Sequence, residues 1–171
     1  PLMYATTSGT TSKPKWIPIS QKYMKDVYDV MSHIWLDNFA RVRPKFLSGG
    51  LVVSVAKVVE GYAEDGTIFG SVSGVTAKKI PSIIRKRFVT PPEVYDISDY
   101  TARYYVMMRL AIAHSVSYIV APNPSTLLEL IHNAEEYFDD YIEDIEKGSI
   151  SEKFDVSPEI RSVLAGFTIP D

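Results

Sequence analysis

Thr7-Ser8-Gly9-Thr10-Thr11-Ser12-Lys13-Pro14-Lys15 packs five hydroxyls, one glycine and two lysines into nine residues, with no carboxylate among them. Backbone N–H groups beside a glycine can approach oxyanions closely, hydroxyls donate further hydrogen bonds, and Lys15 adds a point charge, so the set suits a polyphosphate. A hydroxyl-rich hairpin without a ligand has the same composition. The stretch lacks G-x-x-x-x-G-K-[ST], and no G-x-G-x-x-G occurs in the chain, so neither the kinase and GTPase phosphate loop nor a dinucleotide fingerprint is present. Small, polar and proline-containing, it reads as a loop. The semi-apolar run from Leu2 to Thr7 then reads as a strand leading in. Trp16-Ile17-Pro18-Ile19 reads as a strand leading out, short or at an edge because Pro18 cannot donate to a ladder.

Farther along, Ser20 stands before a run with Tyr23, Met24, Val27, Val30, Met31, Ile34 and Trp35 three or four apart, the pattern of a capped amphipathic helix. Pro44 and Gly49-Gly50 end it. Leu51 to Ala56 reads as a buried strand. The glycines between Glu60 and Gly74 mark loops, with a turn at Asp65-Gly66. Lys78, Lys79, Arg85, Lys86 and Arg87 lie on or beside a short helix ending before Pro91-Pro92, as a solvated basic face or an anion site. Ser98 or Asp99 caps a largely buried helix ending near His114, and Val116 to Ala121 is a second buried strand. Asn123-Pro124 opens a helix reading Leu127, Leu128, Ile131, Ala134, Tyr137, Phe138, Tyr141, Ile142 and Ile145 on a packed face, with Glu135, Glu136, Asp139, Asp140, Glu143 and Asp144 on a wet one. Gly148 ends that helix and Ser157-Pro158-Glu159 starts a last short one. Strands alternating with helices predict an α/β fold, a layered sheet with flanking helices, and residues 1–171 read as a single domain.

At 171 residues and 46% hydrophobic, the chain can bury one sizeable core. A net charge of -3 supplies no basic field, which argues against nucleic acid as the main partner. The absence of cysteine excludes disulfides and thiolate chemistry and fits a cytoplasmic location. No apolar run reaches the ~18 residues of a membrane helix, so no membrane partner is expected. Pro1 in place of an initiator methionine suggests a trimmed parent.

The loop resembles the signature of adenylate-forming enzymes, Thr/Ser-Ser-Gly-Thr-Thr-Gly-x-Pro-Lys, with Ser12 where glycine is usual. Asp65-Gly66-Thr67-Ile68-Phe69-Gly70-Ser71-Val72-Ser73-Gly74, Ala102 to Ala111, Ala121-Pro122-Asn123-Pro124-Ser125-Thr126-Leu127 and Asp144 to Gly148 extend the likeness over nearly the whole chain. Together they resemble a bacterial or archaeal member of the Gretchen Hagen, auxin-responsive family of acyl acid amido synthetases. The resemblance implies a fragment of the large N-terminal adenylation domain. It implies a two-step ligase reaction in which a carboxylate attacks ATP to give an acyl-adenylate and an amine or amino acid then takes the acyl group, with Mg2+ accompanying the ATP. Ser8, Gly9, Thr10, Thr11, Ser12 and Lys15 are then the phosphate contacts.

Plant relatives place acyl-pocket residues near the positions of Ser32, Val120 and Pro122; a basic residue often stands near the first, and Val120 also suits ordinary core. Segments for adenine, ribose and metal, and a mobile C-terminal domain, are not recognisable, so the fragment alone is expected to be inactive. No catalytic residue and no protein metal ligand is assigned. His33, His114 and His132 show no zinc spacing, and Arg103 and Arg109 read as structural. Alternatives are an acyl-CoA ligase of the same superfamily or a non-catalytic, self-associating module; a homodimer is expected from an unpaired sheet edge.

Overall fold

A computed structural model of the chain describes residues 1–6, 15–55, 59–80 and 82–165. These group into two compact units, one from the described residues of Pro1–Phe46 and Val55–Ile80, the other from Leu47–Ser54 and the described residues beyond Ile80. The architecture is α/β, with sheets and flanking helices.

The first unit is built on a sheet of order β2-β1-β5-β4. β1 (Met3–Thr6) and β2 (Trp16–Ile19) pair antiparallel, from Met3 opposite Ile19 to Thr6 opposite Trp16. β2 lies at the edge, where Pro18 costs no ladder bond. On the other side β1 runs parallel to β5 (Ile68–Gly70), with Ala5 opposite Gly70. β5 pairs in turn with β4 (Gly61–Tyr62). The sequence read this region as loops only. The two short strands escaped because three residues cannot establish an alternation, although the turn joining them was correctly placed. Gly66 there takes φ 79°, and the Thr67 amide donates to Asp65 Oδ1 at 2.9 Å.

Alternation sends Met3 and Ala5 to a core with Ile19, Met24, Val72 and Val75. It sends Tyr4, Trp16 and Phe69 to the opposite face, where their rings meet. Ser20 caps α1 (Gln21–Tyr23), its Oγ accepting from the Tyr23 amide at 3.0 Å. The helix continues through a π turn, Met24–Tyr28, into α2 (Asp29–Val42). Of the apolar stripe expected to pack, only Met24 is buried, while Tyr23, Val27, Val30, Met31, Ile34 and Trp35 are exposed. The π turn adds a residue within a turn and so breaks the 3.6-residue register that would have kept the stripe over Met24. α3 (Val72–Lys79) closes this unit.

In the second unit β3 (Gly50–Val53) pairs parallel with β6 (Val116–Val120). β3 is buried as expected. β6 instead exposes Ser117 and Ile119 between half-buried neighbours, the alternation of a strand covered on one face. α4 (Ser82–Arg85) and a 3-10 turn, Pro92–Asp96, precede α5 (Tyr100–Ala113), so the basic run lies beside two short helices rather than one. Asp99 caps α5, its Oδ2 accepting from the Ala102 amide at 2.7 Å. Seven of its residues, from Ala102 to Leu110, are buried, so this helix is the spine of the core.

The expected long helix is two: α6 (Pro124–Glu136), capped by Asn123, and α7 (Phe138–Lys147). Tyr137 leaves helical geometry at ψ 27° and turns its ring edge-on to Tyr105 and Phe154. Contacts at the break replace the lost helical register, each such ring pair contributing about 1 kcal/mol. Tyr105 also stacks on Tyr141 at 4.4 Å. Leu127, Leu128, Ile131, Phe138 and Ile142 are exposed rather than packed. Asp144, assigned to the wet face, is buried. Its carboxylate accepts from Tyr105 Oη and the Ser151 amide, both at 2.6 Å, and from Ser149 Oγ at 3.2 Å. Gly148 ends α7 in the left-handed conformation, φ 64°, and Ser157 caps α8 (Pro158–Leu164).

Candidate functional site

Ser8, Gly9, Thr10, Thr11 and Ser12 lie outside the described residues, but both anchors of their loop are described. Thr6 faces Trp16 across the first ladder, so residues 7–15 are the connection of a β-hairpin, and Lys15 stands exposed at its returning end. The strand, loop, strand reading therefore holds for the flanks. Because β1 and β5 are parallel, the chain leaves both strands in the same direction, toward the loop after Thr6 and toward the start of α3 after Gly70.

That end of the sheet carries polar side chains the sequence did not single out. Thr6 Oγ1 donates to Glu60 Oε2 at 3.2 Å, and the Ser71 and Ser73 hydroxyls share a hydrogen bond at 2.6 Å. Ser71 stands at the N-cap of α3 without using its side chain as a cap. The available signal was the strand-glycine-serine run after the Asp65-Gly66 turn, Ile68-Phe69-Gly70-Ser71, which lacked a strand assignment to attach to. On the sheet face away from Met3 and Ala5, Trp16 contacts Tyr4 at 5.6 Å and Phe69 at 4.7 Å between ring centroids. Gly61 lies against the Phe69 ring, where a Cβ would come within 2.5 Å of its Cζ, so a larger residue there would have to displace the ring.

Of the other candidates, Ser32 is half-buried on α2 in the first unit. Val120, half-buried, ends β6 in the second unit, its carbonyl accepting from the Ser54 amide at 2.8 Å, and the exposed Pro122 follows two residues later. Val120 and Pro122 thus share a strand end, and Ser32 belongs to the other unit. Among the described residues no group of three or more His, Asp or Glu side chains could hold a metal ion.

His33 and His132 are exposed, while burial, and then the Arg109 charge, lower the pKa of half-buried His114. Arg103 and Arg109 turn inward: Arg103 Nε donates to Ile97 O at 2.9 Å, and Arg109 Nη2 donates to Asp144 O at 3.2 Å. No helix among the described residues is long and apolar enough to cross a membrane.

Solved structures share this fold, among them two acyl acid amido synthetases. One described as GH3.15 acyl acid amido synthetase aligns with a TM-score of 0.77 at 18% identity, covering 99% of this chain. One described as AtGH3.15 acyl acid amido synthetase in complex with 2,4-DB aligns at 0.76 and 17%, again over 99% of this chain. The chain spans 30% of the length of each. No curated protein matches it. The sequence matches the GH3 family N-terminal domain over residues 1–171, and the chain therefore belongs to the GH3 family.

Proposed function

We propose that this chain supplies the ATP-phosphate grip of an ATP-dependent acyl acid amido synthetase, as part of an adenylation domain in a longer cytoplasmic enzyme. The observation that carries the reading is the pairing of Thr6 with Trp16, which makes residues 7–15 a hairpin connection at the carboxyl end of a strand running parallel to β5. Ligands of α/β sheets sit outside such strand ends. Family membership and the name of the relative that holds 2,4-DB support an acyl acid as the substrate.

In the first step the acid's carboxylate oxygen bonds to the α-phosphorus of ATP and the bond to pyrophosphate breaks. In the second an amine nitrogen bonds to the acyl carbon, AMP leaves and the amine's proton passes to solvent or base. Negative charge grows on the departing pyrophosphate. Amides and hydroxyls of Ser8, Gly9, Thr10, Thr11 and Ser12, with the Lys15 ammonium, are the donors that stabilise it, and losing one such donor costs about 100-fold in rate. Further neutralisation of the phosphates is expected from the Mg2+ that accompanies ATP. Ser32, Val120 and Pro122 are the residues proposed to meet the acyl acid.

The test is pyrophosphate release by the full-length enzyme with ATP, a panel of carboxylic acids and a panel of amines. Release should depend on the acid, and Lys15→Ala should raise the KM for ATP at least tenfold. Absence of release with every acid overturns the assignment. Turnover with CoA and not with amines moves the enzyme to the acyl-CoA ligases.

A further inference from the structure

We infer that the outward sides of α6 and α7 form a docking surface for a cationic amphipathic helix of a separate protein. Leu128 and Ile131 on α6 and Phe138 and Ile142 on α7 are exposed, Leu128 to 57% and Phe138 to 62%. Both helices already have a packed side: α6 buries Leu130 and Asn133, and α7 buries Tyr141 and Asp144. The exposed residues are therefore a second apolar side rather than leftovers of the first. Leu128, Ile131 and Glu135 follow one another at three and four residues, and Phe138 and Ile142 stand one turn apart, so each helix presents a short stripe.

Charge decides the class of occupant. From Ala121 to Glu146 the chain carries eight Asp and Glu residues and no Lys or Arg. Glu129, Glu135, Glu136, Asp139 and Glu143 are exposed. Lys147 and Lys153, which pair with Glu143 and Asp140, lie beyond that stretch. A field of one sign repels nucleic acid and anionic membranes. A second copy using the same face would set carboxylates against carboxylates, which is costly. Metal ions would leave the apolar side chains unused, and among the described residues no group of three acids or histidines could hold one. A helix with leucines along one side and lysines or arginines beside them uses both features, its apolar side on the two stripes and its cations on Glu135 and Asp139.

The mixture of the two residue classes favours a reversible partner. Surfaces closed permanently are depleted of charge at their centre, whereas interfaces that open keep polar groups around an apolar middle. Here Glu135 continues the α6 stripe and Asp139 adjoins Phe138.

The inference goes beyond the adenylation reading and does not depend on it, since pyrophosphate release is measured without the partner. The probe is a fluorescently labelled Leu/Lys peptide with its leucines on one helical side, added to the 171-residue chain and to the full-length enzyme and followed by anisotropy. Controls are the same residues in scrambled order and a Leu/Glu counterpart. Saturable binding of the Leu/Lys helix alone to both proteins, weakening as salt rises, is expected. Leu128→Ser with Phe138→Ser should weaken it at least tenfold. Glu135→Lys with Asp139→Lys should weaken it at low salt and let the Leu/Glu helix bind. Equal binding of the scrambled peptide, unchanged affinity in either variant, or no binding at about 100 μM each overturn the proposal. Binding to the 171-residue chain but not to the full-length enzyme also overturns it, because the rest of the polypeptide then covers the face. So does self-association that Phe138→Ser abolishes, which makes a second copy the occupant.

Discussion

Replacing Asp144 with alanine should cost more stability than any comparable change on α7. The carboxylate is 4% exposed and accepts three hydrogen bonds from Tyr105, Ser149 and Ser151, with the buried Arg109 guanidinium close by. Its removal strands a phenol and an amide without acceptors and leaves a buried cation less compensated. Breaking a buried charge cluster by deleting one partner costs about 3–5 kcal/mol. That is a large share of the ~5–15 kcal/mol that holds a domain folded. With a urea dependence of about 2 kcal/mol per molar, the midpoint should fall by about 2 M. Trp16 and Trp35 both belong to the first unit, so their fluorescence does not report on this site. Near-ultraviolet circular dichroism of the tyrosines around Tyr105 is the appropriate probe. Tyr105→Phe serves as the internal control, because it removes one donor while Asp144 keeps the other two, and it should cost about 1–2 kcal/mol. A loss below about 1 kcal/mol for Asp144→Ala, or equal losses for both variants, would refute the view that Asp144 organises this core.

Gly148→Ala should destabilise by about 1 kcal/mol in the same urea assay, because φ 64° penalises a Cβ although nothing lies within 4 Å of it. On the alkaline side, burial holds the pKa of Tyr105 and of Tyr141 above the usual tyrosine value, with the Asp144 charge adding to both. Their contribution is complete below the unfolded pKa near 10 and is lost as pH rises beyond it. Stability should therefore fall above pH ~10 by up to ~1.4 kcal/mol per unit for each ring, and the slope should shrink in Tyr141→Phe. On the acid side the pKa of His114 is lowered by burial and then by Arg109, so its contribution is present above the unfolded pKa and is lost as pH falls. Thermal melts should decline below pH ~6.5, and His114→Gln should flatten that decline.

Whether a feature could be read from the sequence depended on whether its cause was local. Ser20, Asp99, Asn123 and Ser157 cap helices as expected because a cap bond spans two or three residues of one segment. Gly66 and Gly148 mark a turn and a helix end for the same reason. The edge position of β2 followed from Pro18, a missing donor in a four-residue strand. Tyr137 fits the helical pattern of its neighbours, and the break there depends on rings at Tyr105 and Phe154 that periodicity cannot see. Asp144 likewise sits among exposed acids, and its burial is decided by a phenol 39 positions earlier in the chain.

The candidate site divides along the same line. The donors proposed at Ser8 to Ser12 and Lys15 could be named from composition, since phosphate chemistry restricts residue type and spacing within one segment. The neighbours Glu60, Ser71 and Ser73 could not, because their proximity to Thr6 comes from a parallel pairing between residues 65 positions apart, Tyr4 with Phe69 and Ala5 with Gly70. A parallel register has no turn to announce it. A candidate motif within one segment can therefore be proposed before the fold is known, while polar neighbours brought toward it across a parallel sheet become visible only once the strands are paired.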